Sequence, residues 1–136
     1  MAQGGCMCGN VRYSVEGDPV KTALCHCTDC RKITGSTYST NAIYPEGGFK
    51  VTEGTTKQHS KTADGGNTIT SHFCGDCGST MWREGATFPG LKVIKVGTLD
   101  DIDALAKAKP STELYAPERV EWVSAIPHAE QKQGMS

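Results

Sequence analysis

The sequence predicts a mainly β chain stapled by metal, and three observations carry that reading: short segments with two-residue alternation, turn residues recurring between them, and seven cysteines gathered in three clusters. Helical periodicity is weak. Val11, Tyr13 and Val15 alternate before a turn at Gly17, Asp18 and Pro19. Ser36 to Tyr44 is rich in serine, threonine and tyrosine and stops at Pro45, with the next turn at Gly47 and Gly48. Phe49 and Val51 continue into a strand that runs to Gly54. Thr55 to Thr62 reads as one hairpin arm, Asp64, Gly65, Gly66 and Asn67 as its turn, and Thr68 to Phe73 as the return arm that delivers Cys74. Met81 and Trp82, then Leu91, Val93, Ile94 and Val96, are the densest apolar runs and are expected in central strands. Asp101 to Lys107 predicts one short helix, ended by Pro110. The expected organisation is a single domain over residues 1–126 and a polar, flexible tail over 127–136.

Composition narrows the function. A chain of 136 residues is long enough for a real core, which a metal staple would reinforce. Its formal net charge of -1 provides no long-range attraction for nucleic acid or an anionic membrane. No stretch approaches a membrane span, and Met1 to Gly5 lacks a basic segment followed by an apolar run. A cytoplasmic protein with neither a nucleic-acid nor a membrane partner is expected.

The cysteines are Cys6 and Cys8, then Cys25, Cys27 and Cys30, then Cys74 and Cys77. Thiols two or three residues apart aim at a common point when the chain between them turns, and zinc is the usual guest. A disulfide framework fits poorly, because the count is odd and Cys6–Cys8 and Cys25–Cys27 are too close for relaxed bridges. Four thiolates close a tetrahedral structural site, whereas three leave a position for water or substrate. The favoured partition joins Cys6 and Cys8 to Cys74 and Cys77 and leaves Cys25, Cys27 and Cys30 to hold a second, open ion. One structural zinc plus a spare, reactive thiol cluster is the competing reading.

Four segments together resemble a known family: Gly5-Cys6-Met7-Cys8-Gly9-Asn10-Val11-Arg12-Tyr13, Cys25-His26-Cys27-Thr28-Asp29-Cys30-Arg31-Lys32, Phe73-Cys74-Gly75-Asp76-Cys77-Gly78-Ser79, and Val96-Gly97-Thr98-Leu99-Asp100. Their order resembles the glutathione-dependent formaldehyde-activating enzymes, also called the centromere protein V domain family. The resemblance implies an Mss4-like fold of short antiparallel sheets tied by a structural zinc on Cys6, Cys8, Cys74 and Cys77. It also implies a catalytic zinc on Cys25, Cys27 and Cys30, and carbon–sulfur lyase activity on the adduct of glutathione and formaldehyde. Two other classes compete: a zinc-supported binding module without catalysis, and a thiol redox or metal-buffering protein.

The remaining polar residues leave alternatives open. His26 lies between two candidate ligands, so its side chain is expected to point away from the ion. It then supports the ligands, contacts a substrate or lies satisfied on the surface; were the site closed to substrate, it would be the nearest candidate for a fourth ligand. Arg31 and Lys32 attract a ligand carboxylate or form a solvated pair. His72 is expected to make a structural contact, and His59 and His128 to be exposed. Asp29 and Asp76 shape turns. Glycines 9, 75 and 78 are expected to let amides approach the thiolates. Trp82, Trp122, Tyr115 and Phe88 read as core or pocket wall.

Overall fold

The computed structural model describes residues 1–63 and 65–135, so Asp64 of the expected hairpin turn and Ser136 of the expected tail lie outside the described residues. Strands β1 (Ala2–Gly5), β2 (Arg12–Val15) and β5 (Phe49–Glu53) form a small antiparallel sheet in the order β1-β2-β5. A larger sheet contains β3 (Lys21–Cys25), β4 (Ser39–Pro45), β6 (Lys57–Thr62), β7 (Thr68–Phe73), β8 (Thr80–Gly85), β9 (Leu91–Lys95), β10 (Thr112–Leu114) and β11 (Glu130–Gln131). Its order is β11-β10-β3-β4-β9-β8-β7-β6. Pairing is antiparallel except around β10, which runs parallel to both β3 and β11. The expectation of a mainly β chain holds, and the apolar runs at Met81 and Leu91 form interior strands of the large sheet. Edge strand β6 is exposed along its whole length and carries Lys57 and Lys61, charges that discourage edge-to-edge pairing. No helix among the described residues is long and apolar enough to cross a membrane.

Alternation gives the large sheet two different faces. One face sends Ala42, Tyr44, Trp82 and Ile94 into a core shared with Val11, Tyr13 and Val15 of the small-sheet region. Trp82 lies 4.7 Å from Phe49 and 6.2 Å from Tyr13 between ring centroids, and His72 stacks on it at 4.6 Å. Trp82 is therefore core. Trp82→Ala is expected to lower unfolding free energy by about 3–5 kcal/mol, the usual cost of emptying an aromatic site. Urea denaturation checks this, and a loss below about 1 kcal/mol would contradict this packing.

Several elements escape sequence reading. β1 has two glycines, β3 lacks clean alternation, and β10 and β11 are too short to leave a pattern. Helix α1 (Thr28–Thr34) falls inside the cysteine motif, with Cys27 as its N-cap and Gly35, at φ 62°, ending it. The expected helix at Asp101 shortens to α2 (Ala104–Lys107). The tail makes contacts that its composition does not suggest: Glu130 and Gln131 pair with β10, the Tyr115 amide donates to Gly134 O, and Met135 packs on the Cys25 region. Polar side chains do not prevent this, because the pairing uses backbone groups.

Candidate active site and metal centres

The turn before β2 brings Cys6 and Cys8 to the turn between β7 and β8, which carries Cys74 and Cys77. All four sulfurs lie within 4.8 Å of one another. Cys6 Sγ is 3.6 Å from Cys8 Sγ, and Cys8 Sγ is 3.7 Å from Cys74 Sγ. Tetrahedral thiolates on zinc sit about 3.8 Å apart, given bonds of about 2.3 Å. The donor set therefore fits one zinc-sized ion. Amides of Val11 and Asp76 donate to Cys6 and Cys74 at 3.3 and 3.4 Å, compensating thiolate charge. The glycines let amides approach the thiolates as expected, since the amides that follow them, those of Asn10, Asp76 and Ser79, donate to Cys8, Cys74 and Cys77. Gly9 and Gly78 take φ of +83° and +81°, so they turn the chain, and their own amides donate to the carbonyls of Cys6 and Cys74. Asp76 accepts from Asn10 Nδ2 at 2.9 Å and ties the two turns together. Hydrogen bonds from the Ser79 hydroxyl and amide hold the Cys77 thiol down at about 5.

The second group grows from the end of β3 into α1. Cys25, Cys27 and Cys30 place their sulfurs within 4.8 Å of one another, with Cys25 and Cys27 3.4 Å apart. Cys27 is both a candidate ligand and the helix cap, accepting from the Cys30 amide at 3.4 Å. Hydrogen bonds from Cys25 and Cys27 hold the Cys30 thiol well below its usual range, helped by the charge of Lys95, while hydrogen bonds with Cys27 and Cys30 drive the Cys25 thiol up.

The three thiols border a cavity of about 30 Å³ on the face of the large sheet opposite the core. Strand register decides what else lines it. Ala23 on β3 faces Asn41 on β4, which faces Lys95 on β9; one step along, Ile43 faces Val93, which faces Arg83 on β8. Lys95 and Arg83 are both buried, with the Lys95 ammonium donating to Asn41 Oδ1 at 2.6 Å and Arg83 Nε to Ser71 Oγ at 2.9 Å. Burial pushes the Lys95 ammonium down from its ordinary range, opposed by the charge of Cys30. A neighbouring cavity of about 70 Å³ shares Cys27, Arg83 and Met135 as walls and adds Lys61 and Tyr115. A larger cavity of about 550 Å³, between Met1, Asp18, Tyr44 and Lys107, contains no thiol.

A family model described as "Glutathione-dependent formaldehyde-activating enzyme" matches residues 1–118. The chain belongs to the glutathione-dependent formaldehyde-activating enzyme family. A crystal structure of a Rhodobacter sphaeroides protein is similar, with a TM-score of 0.60 and 20% identity, covering 74% of this chain and 89% of that one. At that identity the likeness shows a shared fold.

In this member of the formaldehyde-activating family, His26 is fully buried, which corrects the surface alternative. Its Nε2 lies 2.7 Å from Glu113 Oε1 on β10, so β10 braces the cysteine loop from behind. Burial opposes the charge on Glu113, yet hydrogen bonds from Gln131 Nε2, the Ile126 amide and His26, with Arg119 beside them, hold its carboxyl down at about 2. A depressed carboxylate contributes stability that is present above its unfolded value of about 4.3 and lost as pH falls through its folded one. Glu113→Gln is therefore expected to cost about 1.5–3 kcal/mol at pH 7. The difference between variant and wild type should narrow as pH falls from about 4.3 toward 2. Denaturant titrations at several pH values measure that difference, and a gap constant with pH would contradict the ionised carboxylate.

Neither Arg31 nor Lys32 lines the thiol cavity; Arg31 donates to Glu118 O and Lys32 is exposed. Asp29 sits in the first turn of α1 and pairs with Lys61. His72 makes a structural contact, stacking on Trp82 with Nε2 2.8 Å from Glu84, and His59 and His128 are exposed. Phe88 lines the thiol cavity and Tyr115 its neighbour, whereas Trp122 is 74% exposed and serves neither core nor pocket. The cations missed in the sequence had a signal. Lys95 shares strand phase with Leu91 and Val93, and Arg83 with Met81, so each sits where an apolar residue is expected.

Proposed function

We propose that this chain is a zinc-dependent carbon–sulfur lyase that joins a thiol such as glutathione to an aldehyde such as formaldehyde and cleaves the same adduct. The observation that carries the reading is a three-thiol group, one ligand short of a tetrahedral set, bordering a cavity that also receives two buried cations. Family membership supports the reaction class. Cys6, Cys8, Cys74 and Cys77 are assigned to a structural zinc, and Cys25, Cys27 and Cys30 to a catalytic one. Zinc on the three thiolates would hold a substrate thiol as thiolate, the nucleophilic form, near neutral pH.

The chain's own residues then set the rest. Arg83 and Lys95 offset the charge of the thiolate cluster and favour an incoming anion. Ile43, Val93 and Phe88 limit water on the apolar side of the cavity, and its volume of about 30 Å³ suits a small carbonyl group. The adjoining space beside Lys61 and Tyr115 offers room for part of the thiol's body. In the forward direction the thiol proton passes to solvent and the sulfur pair forms the carbon–sulfur bond. The carbonyl π pair moves to oxygen, which takes a proton from solvent. Cleavage runs the same steps backward.

This adduct also forms without a catalyst, so the decisive test is exchange. Magnetisation-transfer NMR between labelled formaldehyde hydrate and S-(hydroxymethyl)glutathione should show faster interconversion with catalytic amounts of the zinc-loaded protein. Exchange at the uncatalysed rate, with other small aldehydes and thiols equally unaffected, would sink the reading.

A further inference from the structure

We infer that Lys95, aimed by Asn41, is a catalytic residue that donates to the aldehyde-derived oxygen of the adduct, an inference that rests on the lyase reading. Lys95 is 8% exposed and lines the cavity with Cys25, Cys27 and Cys30. Burying an ammonium among Ile43, Val93 and Leu114 is expensive, and a methionine of similar length would be cheaper. The charge of the neighbouring thiols accounts for a cation here, but not for the way Asn41 holds it.

Its orientation is built. Asn41 Nδ2 donates to Ala23 O at 3.2 Å, Ser39 O at 3.3 Å and Ser39 Oγ at 3.0 Å, which leaves Oδ1 as the end that meets Lys95. An ammonium has three N–H donors, and among the described residues its hydrogen-bond partner is Asn41 Oδ1. The remaining donors are available to the cavity where the carbonyl would lie. Arg83, by contrast, spends its Nε on Ser71, one strand further from Cys25.

Charge development selects the role. As the carbon–sulfur bond forms, the carbonyl pair becomes an alkoxide, and the charge appears on oxygen only in the transition state and after it. A fixed donor already in place stabilises that charge without reorganisation. In cleavage the same donor holds the oxygen while the carbon–sulfur pair returns to sulfur and the carbonyl re-forms. Lys95 keeps its proton through both directions, and solvent supplies the one that ends on the hydroxyl.

The test compares wild type, Lys95→Met and Lys95→Gln, each loaded with zinc and checked for a cooperative melt. Exchange at saturating glutathione should fall about 100-fold or more in Lys95→Met, the loss typical of an oxyanion donor, and less in Lys95→Gln, which keeps a neutral donor. Zinc per chain, read by elemental analysis, should match wild type in both, and glutathione affinity, read by calorimetry, should fall far less than the rate. An unchanged rate would overturn the inference, as would a rate loss matched by an equal loss of zinc or thiol affinity, because Lys95 would then only balance charge. A wild type without exchange activity would instead remove the lyase reading itself.

Discussion

Cys74→Ser is expected to leave the chain without a cooperative thermal transition at moderate temperature and with at least one zinc fewer. Cys74 is buried, and its cluster staples the turn at Cys6 and Cys8, which leads into the small sheet, to the β7–β8 turn of the large sheet. Structural zinc contributes about 10–16 kcal/mol in small zinc domains, as much as the whole stability of an ordinary domain, about 5–15 kcal/mol. Losing one thiolate in four also leaves the other three with uncompensated charge or competing protons. Far-ultraviolet circular dichroism melts with elemental analysis measure both effects. A variant that keeps the wild-type transition while losing that zinc would show that the staple is dispensable.

Cys27→Ser is expected to do the opposite, sparing the fold and removing the reaction. Cys27 caps α1, and serine is among the preferred N-cap residues, so the substitution keeps the cap while deleting a thiolate. The expected result is one zinc per chain in place of two, a thermal midpoint within a few degrees of wild type, and exchange slowed more than about 100-fold. Loss of a supporting contact behind a metal already costs 10- to 100-fold, and a direct ligand should cost more. Full exchange activity in the one-zinc variant would move catalysis away from the Cys25 group. Two zincs retained would mean that another group had taken Cys27's place.

The two predictions differ because one thiol group joins distant turns and the other lies within one loop and helix start, and that difference was partly legible. Cys25, Cys27 and Cys30 sit within one loop and helix start, so their convergence is a local property of spacing. The hairpin of Thr55 to Phe73 was legible for the same reason, since neighbouring strands with a short turn carry their pairing in the chain. β10 was not. Its three residues are held by a parallel crossover to β3 and by the tail strand, and neither contact leaves a periodic mark.

By itself the sequence determined a mainly β chain, the gathering of seven cysteines into three clusters, and through its motifs the family, while the joining of Cys6 and Cys8 to Cys74 and Cys77 is tertiary. Only the tertiary structure decided that His26 leans on Glu113, 87 residues away, and that Lys95 reaches Asn41, 54 residues away, beside the three thiols. The physical reason is register. A one-residue slip of β9 against β4 would turn Lys95 to the other face, toward the core, and its apolar neighbours fall on both faces, Val93 at the cavity and Ile94 in the core, so they do not select the face alone. Ligand spacing is written locally, whereas the charged lining of the site exists only once eight strands have paired.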